Sequence, residues 1–558
     1  MQPVTRTTRP VIRGQRYAVS SRKPQATQAA EQVLRDGGNA FDAAAAGVAV
    51  LMITDPAMTG LGGDAAVLVY PARERKVVSI NAAGKAPRMA TMEWFETHAG
   101  GKIPVNEGVL AASTPTVLDA LLAMLERWGT MPLEPLFAPA IELAERGFAV
   151  SEYLAEYIEF QAEKLRRYPS SAAIYFPEGR ALRAGDILRN PDLASTLRMI
   201  VEVERSGGLR AARDRFYRGD IARAMADFFE RHGGLYRYED FAEYSVEFEE
   251  PVSIEYRGCR IYKNASANQG PTELILLNLL EPCDLAGLEH NSADFIHVCV
   301  EAAKLAYADR EKYLGDASFT PIPFDVLLSK DYARRRSSYI DRAHARLDLR
   351  PGSAVNLTGA ADHAGDTSYM AVVDQQGNAV SFTPSLHSAF GTGVVIDGLG
   401  FIPNCRGDFY HLTPGHPNAL APRKRPRTTL TPTIVLKDGA PFLVMGSPGG
   451  DDQPMRIAQT FINIVDFGMN VQEAIEAPRW STTSFPASEF PHTMYPGHMS
   501  VEDRIPENVR AELHSRGHIV ETAGPWTLNA TCAILCDRRR GVLEAGADPR
   551  GDSYALAW

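Results

Sequence analysis

The chain has 558 residues, of which 45% are hydrophobic and 23% are charged, the balance of an ordinary globular protein. This composition excludes a disordered tail, a collagen-like chain and a coiled-coil rod, and about 150 residues per domain would give three or four domains. The formal net charge is −10, so we expect no binding of nucleic acid.

From the sequence we expect neither a secretory signal nor a membrane-spanning segment. The N-terminus is basic but lacks the apolar stretch of a secretory signal, and the apolar run Ala43–Ile53 is too short to span a bilayer. The six cysteines are too few for a disulfide framework, which fits a reduced, cytoplasmic protein with no membrane contact. The histidines show no metal-binding spacing, so we expect neither a metal nor another cofactor.

The first 110 residues alternate helix and strand signals. Apolar periodicity predicts helices over Gln25–Arg35 and Ala40–Ile53. A glycine-rich loop over residues 59–64 follows, and then the strands Ala65–Tyr70 and Lys76–Ile80. This alternation is typical of a fold that combines sheets with covering helices.

The middle of the chain is mostly helical. Three- and four-residue apolar spacing predicts helices over Val117–Arg127, Leu136–Arg146 and Ala293–Glu311, with a β-rich interruption at Val252–Tyr262. The polar, arginine-rich stretch Asp331–Gly365 reads as an exposed connection in which the Arg334-Arg335-Arg336 run is a solvated helix face.

The last third of the chain turns to strands. Each of two hairpins is predicted from a pair of β-rich runs around a short turn, and apolar helices and a β-rich C-terminus follow. The predicted elements are the hairpin strands Thr367–Asp374 with Ala379–Thr383 and Thr433–Leu436 with Pro441–Met445, the helices Arg456–Phe467 and Val471–Ala477, and strands within Thr531–Ala545.

The order of several short motifs is more specific than any one of them. The chain carries GGNAFDAAAAGVAV, DPAMTGLGGDAAVLVY, DTSYMAVVDQQGNAVSFT, FGTG, KRPRTTLTPTIV, GSPGGDDQP and DFGMNVQEAIEAPRW in this order. This series resembles the γ-glutamyltransferase (γ-glutamyltranspeptidase) family of N-terminal nucleophile (Ntn) hydrolases over residues 17–558. The resemblance implies an α+β fold, a four-layer αββα sandwich with two stacked sheets between helical layers.

The resemblance also implies that the precursor cuts itself before a catalytic threonine. The matching bond is Asp366–Thr367, which divides the chain into a large segment, residues 1–366, and a small segment, residues 367–558. Together they would form one αββα domain, an α/β heterodimer whose further dimerisation stays open. A threonine hydroxyl needs a base, and the α-amine freed by cleavage has a pKa near neutrality.

Further catalytic roles follow from the same resemblance. Gly449 and Gly450 match the residues whose backbone N–H groups stabilise the oxyanion, a task that suits glycine because a backbone without Cβ admits the substrate carbonyl. Ser385 matches a family threonine whose hydroxyl hydrogen-bonds the nucleophile. Thr428 and Thr429 match a Ser-Ser pair at the substrate carboxylate, and the hydroxyls are retained.

The acyl-binding positions depart from the family pattern. The family arginine that holds the substrate α-carboxylate is replaced by Ala83, with Lys85 two residues later. A family asparagine aligns with His387. Asp408 retains the place of the amine-binding aspartate, and Arg406 adds a positive charge beside it. These departures favour an acyl group that bears a carboxylate but lacks the amino-acid head of glutamate.

The sequence therefore predicts an enzyme, a self-processing amidohydrolase or acylase that cleaves a small-molecule amide through an acyl-enzyme. Side-chain acylases of the glutaryl type and hydrolases of small dicarboxylic monoamides are similar branches of the family. Two alternatives stay open. One is a true γ-glutamyltransferase or glutathione hydrolase, and the other is an inert or unprocessed homologue that only binds a ligand.

Overall fold

The structure, a computed structural model, describes residues 7–348 and 367–558. Its strands, numbered along the chain, are β1 Ile12–Gly14, β2 Ala18–Ser21, β3 Asp64–Tyr70, β4 Val78–Ala82, β5 Phe148–Ala149, β6 Ile187–Leu188, β7 Glu247–Glu249, β8 Val252–Tyr256, β9 Cys259–Lys263, β10 Met370–Val373, β11 Ala379–Ser385, β12 Thr433–Lys437, β13 Ala440–Gly446, β14 Trp480–Thr482, β15 His498–Glu502, β16 Ile519–Ala523, β17 Cys532–Asp537, β18 Val542–Ala547 and β19 Tyr554–Ala557.

The α-helices are α1 Pro24–Arg35, α2 Ala40–Thr54, α3 Met92–His98, α4 Val117–Trp128, α5 Leu133–Arg146, α6 Glu152–Phe160, α7 Ala162–Arg166, α8 Pro169–Tyr175, α9 Pro191–Tyr217, α10 Asp220–Arg231, α11 Tyr238–Ala242, α12 Gly270–Leu280, α13 Ala293–Tyr313, α14 Phe324–Leu327, α15 Lys330–Ser337, α16 Gln453–Val465, α17 Val471–Glu476 and α18 Glu507–Ser515. No helix in the described ranges is both long and apolar enough to cross a membrane.

Two seven-stranded sheets form the centre of the fold. The first sheet has the order β1-β18-β17-β13-β12-β9-β8, and the second has the order β19-β2-β10-β11-β3-β4-β7. Each sheet contains strands from before and after residue 366, so both segments of the chain are needed to build either sheet. The division into residues 1–366 and 367–558 itself stays a prediction.

Strand alternation explains how the two sheets stack. In and just before β10, Tyr369, Ala371 and Val373 belong to the apolar layer between the sheets, while Met370 and Val372 belong to the cluster under the first helices. Successive side chains of a strand point to opposite faces, so both faces of β10 are buried. The result is the predicted αββα sandwich, with a helical layer outside each sheet.

Helix α2 illustrates why the sequence forms this outer layer. The helix begins with a capping box in which the Asn39 side chain accepts the Asp42 backbone N–H and Asp42 accepts that of Asn39. All of its residues are buried, because it is apolar on every side and lies between α1, α5 and β10. It therefore supports the strand that begins just after Thr367.

The predicted elements are mostly present, with shifts at their ends. The strand expected over Thr367–Asp374 is shorter, Met370–Val373, although the Ser368 N–H still donates to the Pro384 carbonyl of the facing strand at 3.0 Å. The segment expected to be an exposed connection contains helix α15. Within it Arg336 is buried, and its Nη2 donates to Asp309 at 2.9 Å, so only part of the arginine run is a solvated face. Residues 349–365 of that segment lie outside the described residues.

Candidate active site

The candidate nucleophile lies opposite Ser385. Strands β10 and β11 are antiparallel with Met370 paired to Phe382, and continuing that register by three residues places Thr367 opposite Ser385. The two hydroxyl oxygens are 3.2 Å apart, and both residues are buried. A hydroxyl within hydrogen-bond distance can stabilise charge that develops on the Thr367 oxygen. Asp366, on the other side of the predicted cleavage bond, lies outside the described residues.

The backbone N–H of His387 fixes the Ser385 hydroxyl. It donates to Ser385 Oγ at 2.9 Å, so one lone pair of that oxygen is already used. His387 reaches this position with a φ of 79°, a left-handed conformation that is uncommon outside glycine. Strain of this kind persists where surrounding contacts enforce it, which is frequent at functional sites.

The glycine-rich loop predicted to form the oxyanion hole follows β13. A Cβ on Gly446, the last residue of β13, would lie 2.2 Å from the Tyr369 ring, so the strand ends directly against the residue two positions after Thr367. Gly449 has a φ of 98°, and a Cβ there would lie 2.5 Å from Asn529 Nδ2. Both constraints require glycine, and the loop leads into α16, whose N-terminal backbone favours negative charge.

Gln269 connects the oxyanion loop to the substrate-binding hydroxyls. Its Nε2 donates to the carbonyl oxygens of both Thr429 and Gly450 at 3.0 Å, and its Oε1 accepts from Arg310. Arg310 also forms an ion pair with Asp451, the residue after Gly450. Through these contacts Gln269 ties the segment of Thr429 to the loop of Gly450. No sequence motif had indicated Gln269.

Arg406 is buried beside the hydroxyl of Thr429. Its Nε lies 3.1 and 3.2 Å from the two carboxylate oxygens of Asp64, and its Nη1 donates to Thr429 Oγ1 at 3.1 Å. Burial raises the pKa of the Asp64 carboxyl, and the Arg406 charge opposes that rise. Arg406 Nη2 has no hydrogen-bond partner among the described residues. A buried donor without a partner is costly, and here it lies beside a predicted substrate-binding residue.

Asp408 is already occupied by His387. The Nε2 of His387 lies 2.9 and 3.1 Å from the two carboxylate oxygens, and the Asn106 backbone N–H donates to Asp408 Oδ2 at 2.8 Å. The imidazole also packs against the Phe409 ring, with the ring centroids 4.2 Å apart. His387 thus pairs with Asp408, while Asp408 Oδ1 has no hydrogen-bond partner among the described residues.

Two further predicted substrate-binding residues, Lys85 and Thr428, already contact other residues of the protein. The Lys85 ammonium is 3.5 Å from Glu247, and burial together with the nearby Arg425 lowers its pKa. Its charge is thus already paired, and its role at the acyl group stays a prediction. The Thr428 backbone N–H donates to Ala267, and its carbonyl accepts from Gln269, both at 2.9 Å.

Side chains of metal-binding type lie together in three groups of the described residues, and several of their members contact one another. In the site, His387 and Asp408 are hydrogen-bonded to each other, and burial raises the pKa of the Cys405 thiol to about 12. In a second group the rings of His411 and His416 are stacked with centroids 3.5 Å apart, and their Nε2 atoms lie 3.8 and 3.9 Å from Glu311 Oε2. A third group comprises His297, Glu301 and His518, and two of its members, His297 and His518, hydrogen-bond each other.

Known proteins resemble the chain over nearly all of its length. A family model for gamma-glutamyltranspeptidase matches residues 26–558. The glutathione hydrolase-like YwrD proenzyme of Bacillus subtilis (strain 168) is 34% identical over 545 residues, 97% of this chain and 98% of that protein. The acylase ACY 1 proenzyme of Pseudomonas sp. (strain SE83) is 33% identical over 553 residues, 98% of this chain and 94% of that protein. The crystal structure of cephalosporin acylase from Bacillus halodurans aligns with a TM-score of 0.88 at 32% identity, covering 100% of this chain and 98% of that one.

The buried pair of Arg406 and Asp64 makes a stability prediction. Asp64→Asn leaves the buried guanidinium without its carboxylate, so we expect the free energy of unfolding to fall by about 3–5 kcal/mol in urea denaturation. The matched control is the double variant Asp64→Leu with Arg406→Met, which removes both charges and should recover most of the loss. A single variant as stable as the wild type would contradict the pairing.

Proposed function

The chain belongs to the γ-glutamyltranspeptidase family, and we propose that it is a self-processing amide hydrolase with Thr367 as nucleophile and a carboxylate-bearing acyl group as its specificity. It is an Ntn hydrolase that acts on amides. The observation that carries the assignment of Thr367 is the pairing of its hydroxyl with that of Ser385, 3.2 Å away on the facing strand.

Activation begins with cleavage of the Asp366–Thr367 bond. The Thr367 hydroxyl attacks the carbonyl carbon of Asp366, the C–N bond breaks, and water hydrolyses the resulting ester. The products are the Asp366 carboxyl group and a free α-amine on Thr367. Because that amine has a pKa near neutrality, it can then act as the base for the hydroxyl of the same residue.

Substrate cleavage uses the same hydroxyl. The Thr367 α-amine takes the hydroxyl proton, the oxygen attacks the amide carbonyl, and the backbone N–H groups of Gly449 and Gly450 receive the oxyanion. The amine leaves with the proton, and water or an acceptor amine then takes the acyl group from Thr367. Ser385 supports the nucleophile, since its own oxygen already accepts the His387 N–H.

The acyl end of the site favours a carboxylate without an adjacent ammonium. Arg406 offers a donor without a partner among the described residues next to the Thr429 hydroxyl, whereas Asp408 is engaged by His387. A planar guanidinium suits a carboxylate because it presents several donors at fixed directions. Glutaryl-type amides meet this requirement, and the ACY 1 relative is named an acylase. A cytoplasmic location completes the proposal and rests on the sequence features alone.

The competing substrate is a γ-glutamyl amide, since another relative is named glutathione hydrolase-like. A γ-glutamyl group adds an ammonium beside its carboxylate. That ammonium would compete with His387 for Asp408 and would lie near the Arg406 charge. Both effects raise the free energy of binding a γ-glutamyl group relative to a glutaryl group.

Processing is tested on a denaturing gel. The wild type should give two fragments, residues 1–366 and 367–558, and Thr367→Ala should give one band of full length. Thr367→Ser is the matched control, because it keeps the hydroxyl and should still cleave. If Thr367→Ala is cleaved as the wild type is, the nucleophile is a different residue.

Acyl specificity is tested with p-nitroanilides on the processed enzyme. Glutaryl-p-nitroanilide should be cleaved with a higher kcat/KM than γ-glutamyl-p-nitroanilide. Arg406→Lys keeps the charge but loses the fork, so KM for the glutaryl substrate should rise by about 10- to 100-fold, the effect of one good charged hydrogen bond.

Lys85→Met is the matched control, since it removes the other candidate cation. Its KM should change less than about threefold, because the Lys85 charge already faces Glu247. A large rise in KM for Lys85→Met with little change for Arg406→Lys would reverse the assignment of the two cations.

A further inference from the structure

The carbonyl group of Pro448 is held by a buried arginine of helix α16. Arg456 Nη1 donates to the Pro448 carbonyl oxygen at 2.5 Å and to Ser447 Oγ at 2.8 Å. The Ser447 hydroxyl lies within hydrogen-bond distance of two carbonyl oxygens, that of Pro448 at 2.8 Å and that of Ala530 at 2.7 Å. Because a hydroxyl carries one proton, Ser447 serves one of these carbonyls at a time, whereas Arg456 serves Pro448 in either case.

The direction of the Pro448 carbonyl determines the direction of the next N–H group. The Pro448–Gly449 peptide bond is trans and planar, so its C=O and the Gly449 N–H point in opposite directions. Gly449 is buried, and its N–H donates no hydrogen bond to another described residue. A buried donor without a partner is costly, and this one remains available to a substrate oxygen.

Arg456 is itself held by contacts other than the one with Pro448. Its Nε donates to the Leu528 carbonyl at 2.9 Å, and its Nη2 lies 3.2 Å from Asp452 Oδ2. Gly449 packs against the same guanidinium, since a Cβ on this glycine would lie 2.9 Å from Arg456 Nη1. The guanidinium is therefore fixed directly behind the loop that carries the Gly449 N–H.

Local helix preference does not explain a cation at this place. Arg456 is the fourth residue of α16, close to the helix N-terminus, where the helix dipole disfavours positive charge. Local rules of this kind are broken most often at functional sites. Here the guanidinium and the helix N-terminus together place positive charge next to the loop of Gly449 and Gly450.

We propose that Arg456 is the positioning residue of the oxyanion hole. By holding the Pro448 carbonyl it directs the Gly449 N–H toward the substrate oxygen, and its charge polarises the peptide so that this N–H becomes a stronger donor. Hydrogen bonds in series strengthen one another, and bonds from charged donors are the stronger ones. The inference rests on the proposed function, which assigns the oxyanion to the Gly449 and Gly450 N–H groups.

The effect of Arg456 is expected in the transition state. Negative charge develops on the substrate oxygen only when Thr367 attacks, so a stronger donor stabilises the transition state more than the bound amide. Loss of the arginine should therefore lower kcat and leave KM nearly unchanged.

The experiment uses the processed enzyme with glutaryl-p-nitroanilide. Arg456→Met should lower kcat by about 10- to 100-fold and change KM by less than about threefold, a smaller loss than the about 100- to 1,000-fold effect of removing an oxyanion donor outright. Arg456→Lys keeps a charged donor and should recover part of kcat. Asp452→Asn is the matched control, because it breaks the ion pair of the same guanidinium but keeps the Pro448 contact, and its kcat should stay within about threefold of the wild type.

A pair of esters separates positioning from a loss of active protein. Monomethyl glutarate and its thionoester differ only in the atom that becomes the oxyanion, and sulfur is a weak hydrogen-bond acceptor. The ratio of their kcat/KM values, oxygen over sulfur, does not depend on the fraction of enzyme that is active. This ratio should fall in Arg456→Met by nearly the factor by which kcat falls, and it should stay unchanged in Asp452→Asn.

The outcomes separate this inference from the proposed function. Wild-type kcat in Arg456→Met, or a lower kcat with an unchanged ester ratio, overturns the role of Arg456 and leaves the proposed function standing. If Arg456→Met yields no processed enzyme, Arg456→Gln, which also lacks the charge, is judged by the same ratio. Failure of the processed wild type to cleave the amide and both esters overturns the proposed function itself.

Discussion

The buried ion pair between Arg406 and Asp64 is the interaction on which the candidate site depends. A guanidinium withdrawn from water needs a carboxylate close by, so the segment around residue 406 is held against the start of β3. The same guanidinium reaches Thr429, and Thr429 is tied through Gln269 to the oxyanion loop. One compensated charge thus links the proposed acyl pocket to Gly449 and Gly450, the proposed oxyanion residues.

The position of the candidate nucleophile, Thr367, follows from the packing and pairing of the strands. Both faces of β10 are buried, because α2 covers one and the first sheet covers the other. The antiparallel register, continued three residues beyond β10, places Ser385 opposite Thr367. The placement of Thr367 is thus a consequence of sheet packing, whereas the placement of Arg406 is a consequence of buried charges.

The sequence was informative where contacts are local. Turn residues and strand alternation predict the hairpin of Thr367–Asp374 with Ala379–Thr383. The roles of Thr367, Ser385, Gly449 and Gly450 came from the family resemblance and not from these local signals. Contacts between residues far apart in the chain could not be predicted from the sequence. Asp64 and Arg406 are far apart in sequence, and nothing near either residue indicates the other. Lys85 was selected for its charge alone, and only the fold reveals that Glu247 already faces it.

The central claim is that Arg406 binds the carboxylate of the acyl group. A structure with a bound product tests this claim most directly. A crystal structure of the processed enzyme with glutarate should show one carboxylate at the Gly449 and Gly450 N–H groups. The other carboxylate should accept hydrogen bonds from Arg406 Nη2 and lie near the Thr429 hydroxyl. A distal carboxylate bound to Lys85, or left in solvent while Arg406 Nη2 stays without a partner, would contradict the account.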